Sequence, residues 1–184
     1  MKRRRERPEF DSSWTLFLDR DGVINQKIDH DYVRSWDNFV FLPDVTTALQ
    51  QLAGIFGRIV VTTNQRGIGR GLFTLADLHG IHEKMLGEIA ATGGRIDAVY
   101  FCPHLQDDPS CNCRKPKPGM ALQAKEQFPE IDFAKSVLIG DSVSDIQFGK
   151  HLGMYTVHIT KSDVSMSDEK YASLFNWSSS LLQA

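Results

Sequence analysis

The chain has 184 residues, of which 41% are apolar and 24% are charged, and this composition fits one globular domain with a core. Its net charge of −2 argues against a general nucleic-acid-binding surface, and no apolar run reaches the ~18 residues of a membrane span. We expect residues 1–13, with the basic run Lys2–Arg7, to form a flexible tail rather than a secretory signal, and residues 14–184 to form a single domain. Contact of this tail with RNA or a membrane surface is the weaker alternative.

The stretch Leu16–Asn25, with the sequence LFLDRDGVIN, joins a predicted strand to two carboxylates. The predicted strand, Trp14–Asp19, is apolar until it reaches Asp19. A second aspartate, Asp21, lies two positions further along the chain. Active sites of open α/β sheets lie outside the carboxyl ends of the strands, where one carboxylate can attack as a nucleophile while a second transfers protons. Two negative charges so close together favour a hard cation such as Mg²⁺. The alternative is a solvated Asp-Arg-Asp-Gly turn.

A long irregular segment, Arg20–Leu42, follows this motif, and loops of such length in a compact domain are usually functional. Its candidates for polar contact with a substrate are Asn25, His30, Tyr32 and Arg34. A helix is predicted after Pro43, because apolar residues recur at helical spacing until Gly57. These residues are Val45, Leu49, Leu52 and Phe56.

The second predicted strand is Arg58–Asn64, which also ends in polar residues. The following segment, Gln65–Gly71, lacks the spacing of a phosphate-binding glycine loop, and its glycines predict turns that expose backbone N–H groups near the site. Thr74 is the predicted N-cap of a helix that ends at Gly93. Its apolar face consists of Leu75, Leu78, His82, Met85, Leu86 and Ile89, with His79 and His82 as ordinary helix positions.

The second half of the chain continues the alternation of strands and helices. The predicted strands are Asp97–Cys102, Val137–Asp141 and Thr156–Ile159. One predicted helix starts at Pro118 and runs through Leu122 and Phe128, and another contains Ile146 and Phe148. For the tail, Ser162–Ala184, we predict a short strand near Leu174–Trp177 and a terminal helix.

Strands that alternate with helices predict an α/β fold with a Rossmann-like, doubly wound parallel sheet covered on both faces. Polar side chains end three of its strands: Asp19 with Asp21, Thr63, and Asp141. Because the carboxyl ends of parallel strands meet at one edge, we expect an active site there.

The cysteines of the chain are Cys102, Cys111 and Cys113. An odd number excludes complete disulfide pairing within one chain, and the close spacing favours a metal site in a reducing compartment. A cluster of free thiols is the alternative.

The motifs LDRDGV, VVTTN and GDSVSD, in this order, resemble those of the haloacid dehalogenase superfamily of phosphotransferases, and the resemblance covers Trp14–Ile159. It implies that Asp19 is the nucleophile, forming an aspartyl-phosphate, and that Asp21 is the general acid and then the general base. Thr63 would hold the phosphoryl group. Asp141 would bind Mg²⁺ together with Asp19 and the backbone carbonyl of Asp21, and Asp145 would support the site from behind.

The superfamily also needs a lysine, which CNCRKPKPG supplies: Lys115 matches the position, and Lys117 is expected at the surface. This segment, with DRDGVIN, TNQRGIGRG and CPH, resembles the branch of heptose-bisphosphate and histidinol-phosphate phosphatases. That branch is nearly capless and carries a structural zinc loop. The resemblance implies Cys102, His104, Cys111 and Cys113 as zinc ligands and Arg114 as the substrate-recognition arginine. We also assign substrate binding to Asn25, Asn64 and Gln65.

We therefore expect an Mg²⁺-dependent phosphatase that removes the 7-phosphate of D-glycero-D-manno-heptose 1,7-bisphosphate, on the route to nucleotide-activated heptose. The expected cofactors are Mg²⁺ and a structural Zn²⁺, and the expected state is a cytoplasmic monomer without nucleic-acid or membrane partners. Histidinol-phosphate phosphatase is one alternative. A zinc-containing binding module without catalysis is another, which the complete set of catalytic residue types disfavours. The sequence departs from many relatives at Ser142, where they carry a lysine after the fourth-motif aspartate.

Overall fold

The computed structural model describes residues 7–160 and 167–183, and this part of the chain contains one six-stranded sheet in the order β3-β2-β1-β4-β5-β6. All strand pairs are parallel, so the predicted Rossmann-like α/β architecture is confirmed. The strands are β1 (Thr15–Leu18), β2 (Arg58–Asn64), β3 (Ala98–Cys102), β4 (Ser136–Gly140), β5 (Tyr155–Ile159) and β6 (Glu169–Tyr171). Within the described ranges no segment folds as a separate cap domain.

Six α-helices connect and cover these strands in the described residues. They are α1 (Val45–Ala53), α2 (Arg66–Gly69), α3 (Leu75–Ala91), α4 (Gly119–Gln127), α5 (Val143–His151) and α6 (Leu174–Leu182). The predicted N-cap of α3 is confirmed, because the Thr74 side chain accepts a hydrogen bond from the backbone N–H of Asp77, whose carboxylate accepts from the N–H of Thr74. None of the helices described is long and apolar enough to cross a membrane.

The core lies on both faces of the sheet, with β1 at its centre. Leu16 and Leu18 pack into the larger apolar cluster, whereas Phe17 packs into a second cluster, because successive side chains of a strand point to opposite faces. The register sets Leu18 beside Val61 of β2 and Ile139 of β4. Asp19 therefore emerges from the middle of the sheet, flanked by the polar ends of two neighbouring strands.

Two predicted elements are corrected by the structure. The stretch Leu174–Trp177 is the start of α6 rather than a strand, because Ser173 caps a helix by accepting from the N–H of Asn176, and the short strand is β6 instead. The glycine-rich Gln65–Gly71 segment contains the short helix α2 where turns were expected.

The predicted tail of residues 1–13 is also too long. Phe10 packs against aromatic side chains of the larger apolar cluster, with ring centroids 5.0 Å from Trp14, 5.5 Å from Phe56 and 5.7 Å from Trp177. The packed domain therefore includes part of this segment. Residues 1–6, with most of the basic run, lie outside the described residues, as do 161–166 and 184 of the predicted C-terminal tail.

Candidate active site

A cleft of about 510 Å³ opens at the carboxyl edge of the sheet. The strand-end residues predicted from the sequence line it together: Asp19 and Asp21 after β1, Thr63 in β2, and Asp141 after β4. The side chains of Asn64, Arg114, Lys115 and Asp145 join the same wall. The sheet thus gathers into one site groups that are far apart in the sequence.

Lys115 is the buried cation of this site. Its Nζ atom donates to Asp19 Oδ1 at 2.9 Å and to the backbone carbonyl of Thr62 at 2.6 Å, and it lies 2.5 Å from Asp145 Oδ1. Burial lowers the pKa of a lysine, but the two carboxylates outweigh burial and raise the pKa of Lys115 above its ordinary value. Lys115 therefore carries its charge in the folded protein. Asp145, fully buried, is a direct partner of this cation and not only a distant support.

Asp19 sits in an environment with an excess of negative charge. Burial, reinforced by Asp145 and Asp141, raises the pKa of Asp19 to about 7 against the opposing effect of Lys115. Oxygen atoms of these three carboxylates lie within 4.8 Å of one another. Asp141 Oδ1 is buried and has no hydrogen-bond partner among the described residues. The donor set, all oxygen, fits a hard divalent cation such as Mg²⁺.

Two neighbours of Asp141 shape this part of the cleft. A Cβ atom at Gly22, whose φ is +91°, would come within 2.3 Å of Asp141 Oδ2, so a glycine lets the loop after β1 approach the carboxylate. Lys27 donates to the same Oδ2 atom at 2.8 Å. Lys27 was not among the predicted site residues, because nothing in an irregular loop indicates which lysine turns toward the sheet.

Asp21 is held by a network of buried donors. Arg20 donates to both of its carboxylate oxygens, at 2.9 and 3.1 Å, and Asn25 and Gln65 each donate to one, both at 2.9 Å. Burial acts to raise the pKa of Asp21, but these partners hold it below its ordinary value. Gln65 also donates to Thr63 Oγ1 at 2.9 Å. The network thus fixes both the second aspartate and the threonine.

This arrangement corrects the assignment of Asn25 and Gln65 to substrate binding. In the described part of the chain both side chains are fully buried, and neither lines the cleft. They orient Asp21 from behind. Asn64, by contrast, does line the cleft, and it also fixes Lys115, since its side chain accepts from the backbone N–H of Lys115 at 3.0 Å and donates to its carbonyl at 3.3 Å.

Arg20 and His82 form a contact that the sequence analysis missed. Arg20 is fully buried, and its Nη1 atom lies 3.1 Å from His82 Nε2. Burial and the nearby guanidinium lower the pKa of His82 to about 3, so the neutral imidazole accepts this hydrogen bond. The helical periodicity placed His82 on the core face but gave no sign of a partner that is 62 positions away.

The loop residues divide into two groups. His30 and Tyr32, which stay candidates for substrate contact, line the cleft, whereas Arg34 pairs with Asp31 at 2.6 Å and is not among the residues that line it. Arg114 lines the cleft, and its buried Nη1 atom has no hydrogen-bond partner within the described residues.

Arg66 and Arg70, which were not predicted as site residues, also line the cleft. Lys117 is exposed, as expected.

The predicted zinc ligands meet in a separate cluster beside β3. Cys111 Sγ lies 3.5 Å from Cys102 Sγ and 3.7 Å from Cys113 Sγ, and His104 Nδ1 lies 3.2 Å from Cys113 Sγ. All four ligand atoms are within 4.8 Å of one another, and the three cysteines are buried. The backbone N–H of Arg114 donates to Cys111 Sγ at 3.3 Å, an orienting contact. Three sulfur atoms and one imidazole fit a closed tetrahedral zinc site.

The parallel sheet, the paired aspartates after β1 and the buried lysine define a phosphatase site of the haloacid dehalogenase type. At 13% identity, a haloacid dehalogenase superfamily hydrolase from Geobacter sulfurreducens shares this fold, with a TM-score of 0.59 over 89% of this chain and 97% of that chain. Residues 10–178 match the model of the polynucleotide kinase 3 phosphatase family.

Relatives with higher sequence identity show which family of this superfamily the chain belongs to. D-glycero-α-D-manno-heptose-1,7-bisphosphate 7-phosphatase of Mycobacterium tuberculosis is 41% identical over 139 residues, covering 76% of this chain and 73% of the relative. D-glycero-β-D-manno-heptose-1,7-bisphosphate 7-phosphatase of Yersinia pestis is 42% identical, covering 72% of each chain. The crystal structure of D,D-heptose 1,7-bisphosphate phosphatase from B. bronchiseptica, complexed with magnesium and phosphate, is 34% identical, with a TM-score of 0.81 over 92% of this chain and 98% of that chain. The chain belongs to this heptose-bisphosphate phosphatase family of the haloacid dehalogenase superfamily.

Proposed function

We propose that this protein is an Mg²⁺-dependent phosphatase that removes the 7-phosphate of D-glycero-D-manno-heptose 1,7-bisphosphate. The observation that carries the proposal is the buried Asp19 carboxylate, which pairs with Lys115 on the wall of the cleft that Asp21 also lines. A nucleophile, a proton carrier and a fixed cation are the groups that phosphoryl transfer to a carboxylate requires. The names of the relatives supply the substrate.

In the proposed reaction Asp19 attacks phosphorus and forms an aspartyl-phosphate, while Asp21 gives a proton to the leaving sugar oxygen. Asp21 then takes a proton from the water that hydrolyses this intermediate. The negative charge of an arriving phosphoryl group raises the pKa of Asp21 by repulsion, which favours the protonated form needed for the first step. Lys115 neutralises charge on the phosphoryl group, and the Thr63 hydroxyl hydrogen-bonds one of its oxygens.

Magnesium would be held by the carboxylates of Asp19 and Asp141 and by the backbone carbonyl of Asp21. The unpartnered Asp141 Oδ1 atom and the crowding of carboxylates around Asp19 support this ligand set. When bound, the ion would neutralise the charge of the nucleophile and of the phosphate oxygens. Gly22 would keep Asp141 close to the loop that carries Asp21.

Zinc would be held by Cys102, His104, Cys111 and Cys113, and its role would be structural. Four protein ligands complete a tetrahedral shell and leave no position for a reacting water. The site would fix the path of the chain directly before Arg114 and Lys115. It would therefore serve catalysis by placing these two side chains.

Arg114 is the proposed anchor for the second phosphate of the substrate. Its buried Nη1 atom has no partner within the described residues, and a guanidinium can hold a phosphate with two parallel hydrogen bonds. Lys27 and Arg70 add positive charge to the lining of the same cleft. This positive charge suits a small sugar with two phosphates.

We further propose that the protein acts as a cytoplasmic monomer without nucleic-acid or membrane partners.

A panel of phosphate esters tests the function. Both anomers of heptose 1,7-bisphosphate, histidinol phosphate and p-nitrophenyl phosphate would be assayed for phosphate release with Mg²⁺ and after addition of EDTA. We expect the highest kcat/KM for a heptose bisphosphate and no release with EDTA. A preference for histidinol phosphate would favour the alternative phosphatase, and no release from any ester would favour the binding module.

A further inference from the structure

The short helix α2 is packed tightly between two loops: the loop after β1, which lines the cleft, and the cysteine-cluster segment, which precedes Arg114 in the chain. On one side, a Cβ atom at Gly67 would clash with the ring of Phe73 and lie 2.9 Å from the ring of Tyr32, which belongs to the loop after β1. On the other side, a Cβ atom at Gly69 would lie 2.7 Å from the carbonyl oxygen of Pro103, in the segment of the cysteine cluster. The Gly69 N–H donates to that same carbonyl at 3.0 Å. The two glycines are thus needed for close packing against both loops.

Arg66, the first residue of α2, joins the same two loops with its side chain. Its Nε atom donates to Tyr32 Oη at 3.0 Å, and its Nη1 atom donates to Gln106 Oε1 at 3.1 Å. Gln106 lies between His104 and Cys111, within the segment of the cysteine cluster. The guanidinium is half-buried and lines the cleft. Two of its three nitrogen atoms are therefore occupied by protein partners.

We propose that Arg66 is a positioning residue for substrate selection, which holds Tyr32, in the lining of the cleft, at a fixed separation from the cysteine-cluster segment that leads to Arg114. The inference rests on the proposed function, because it concerns how that site selects a sugar bisphosphate. A planar guanidinium can direct two hydrogen bonds at fixed angles, which an ammonium group does less well. Fixed loops lower the entropy lost when a substrate is bound. Arg66 thereby acts through its two neighbours rather than through its charge.

Three single variants test this role: Arg66→Ala, Tyr32→Phe and Gln106→Ala. Each removes at least one of the bridging hydrogen bonds, and the loss of one such bond is expected to raise KM for heptose bisphosphate about fivefold. We expect kcat to stay within about twofold of the wild-type value, since the reacting groups are untouched. The ratio of kcat/KM for heptose bisphosphate to that for p-nitrophenyl phosphate should fall accordingly.

The double variant Arg66→Ala/Tyr32→Phe tests whether the two residues act as a unit. Its KM should not exceed that of Arg66→Ala, because the second change removes a partner that is already lost. Arg66→Lys keeps the positive charge but loses the planar guanidinium that directs two hydrogen bonds, so its KM should resemble that of Arg66→Ala. Arg58→Ala is the matched control, since Arg58 also bonds two partners, Glu130 and Asp97, but at the opposite end of β2.

Three results would overturn the inference, the last of them an unchanged KM in all of these variants. Wild-type KM in both Tyr32→Phe and Gln106→Ala, with a raised KM in Arg66→Ala, would show direct contact with the substrate. Full rescue by Arg66→Lys would show that charge alone matters. If the wild type prefers another phosphate ester, the proposed function fails first, and the same variants are compared on that ester. An unchanged KM in all of them would then overturn the positioning role as well.

Discussion

The carboxylate site around Asp19 and the cysteine cluster around Cys111 lie at the same edge of the sheet but are assembled differently. The carboxylate site draws on segments that follow β1, β2 and β4, and the chain supplies its own cations, Arg20 and Lys115. The cysteine cluster comes from one short segment, and few other apolar side chains pack on it. We propose that the sheet holds the first site in shape, whereas a bound metal would hold the second.

The largest effect is expected from removing the charge of the nucleophile. Asp19→Asn keeps the shape of the side chain but abolishes its attack on phosphorus, so turnover should fall at least about a thousandfold. Asp21→Asn should also be severely impaired, because proton transfer is lost. Asp37→Asn, an exposed change in the same loop, is the control. Near-normal turnover of Asp19→Asn would show that the assignment is wrong.

Replacing Lys115 tests whether its ammonium group is the counter-ion of the buried carboxylates of Asp19 and Asp145. Lys115→Met leaves Asp19 and Asp145 buried without their counter-ion, which typically costs about 3–5 kcal/mol of unfolding free energy. Denaturant unfolding without added metal measures this loss. Lys135→Met, a change at an exposed lysine whose ammonium lies 3.4 Å from Ser13 Oγ, away from the site, should cost under about 1 kcal/mol. Equal stability of the two variants would contradict the role of Lys115 as the buried counter-ion.

The cysteine cluster is tested by metal content and melting temperature. Protein purified without chelator should contain close to one zinc per chain, and Cys111→Ser or Cys113→Ser should lose it and melt at a lower temperature. The effect on stability should exceed the effect on kcat for p-nitrophenyl phosphate, because the reacting groups belong to the other site. A fully folded, metal-free protein with three titratable thiols would rule out the structural zinc.

Arg114 is expected to show a smaller and more selective effect. Arg114→Ala should lower kcat/KM for heptose 1,7-bisphosphate about tenfold to a hundredfold, the range for a charged hydrogen bond to phosphate. The loss for p-nitrophenyl phosphate, which has no second phosphate, should be much smaller. Lys115→Ala should impair both substrates, because its partner is the transferred phosphoryl group. Equal losses with Arg114→Ala would count against the second-phosphate role.

Strand ends were the most predictable part of the molecule. Arg58–Asn64 was predicted with the bounds that β2 has, and Thr63 and Asp141 lie at the same edge as Asp19 because parallel strands share a direction. The buried apolar runs decide these elements locally. Their polar ends therefore indicate the site before any side chain is placed.

Side-chain partners across the fold were not predictable in the same way. Asn25 and Gln65 follow the motifs as exposed substrate contacts would, and only the path of the loops shows that they are buried behind Asp21. Asp145 and Lys115 are separated by an entire helix and strand in the sequence. Their pairing depends on packing, which periodicity does not report. The short apolar run at Leu174–Trp177 fits a strand or a helix until its cap is seen.

Whether the 7-phosphate or the 1-phosphate leaves the sugar decides between the proposed activity and another phosphatase activity. Phosphorus NMR of heptose 1,7-bisphosphate incubated with the protein and Mg²⁺ distinguishes the sugar phosphate products. We expect inorganic phosphate and heptose 1-phosphate to accumulate together, and neither to form with Asp19→Asn. Accumulation of heptose 7-phosphate, or an unchanged bisphosphate with the wild-type protein, would contradict it.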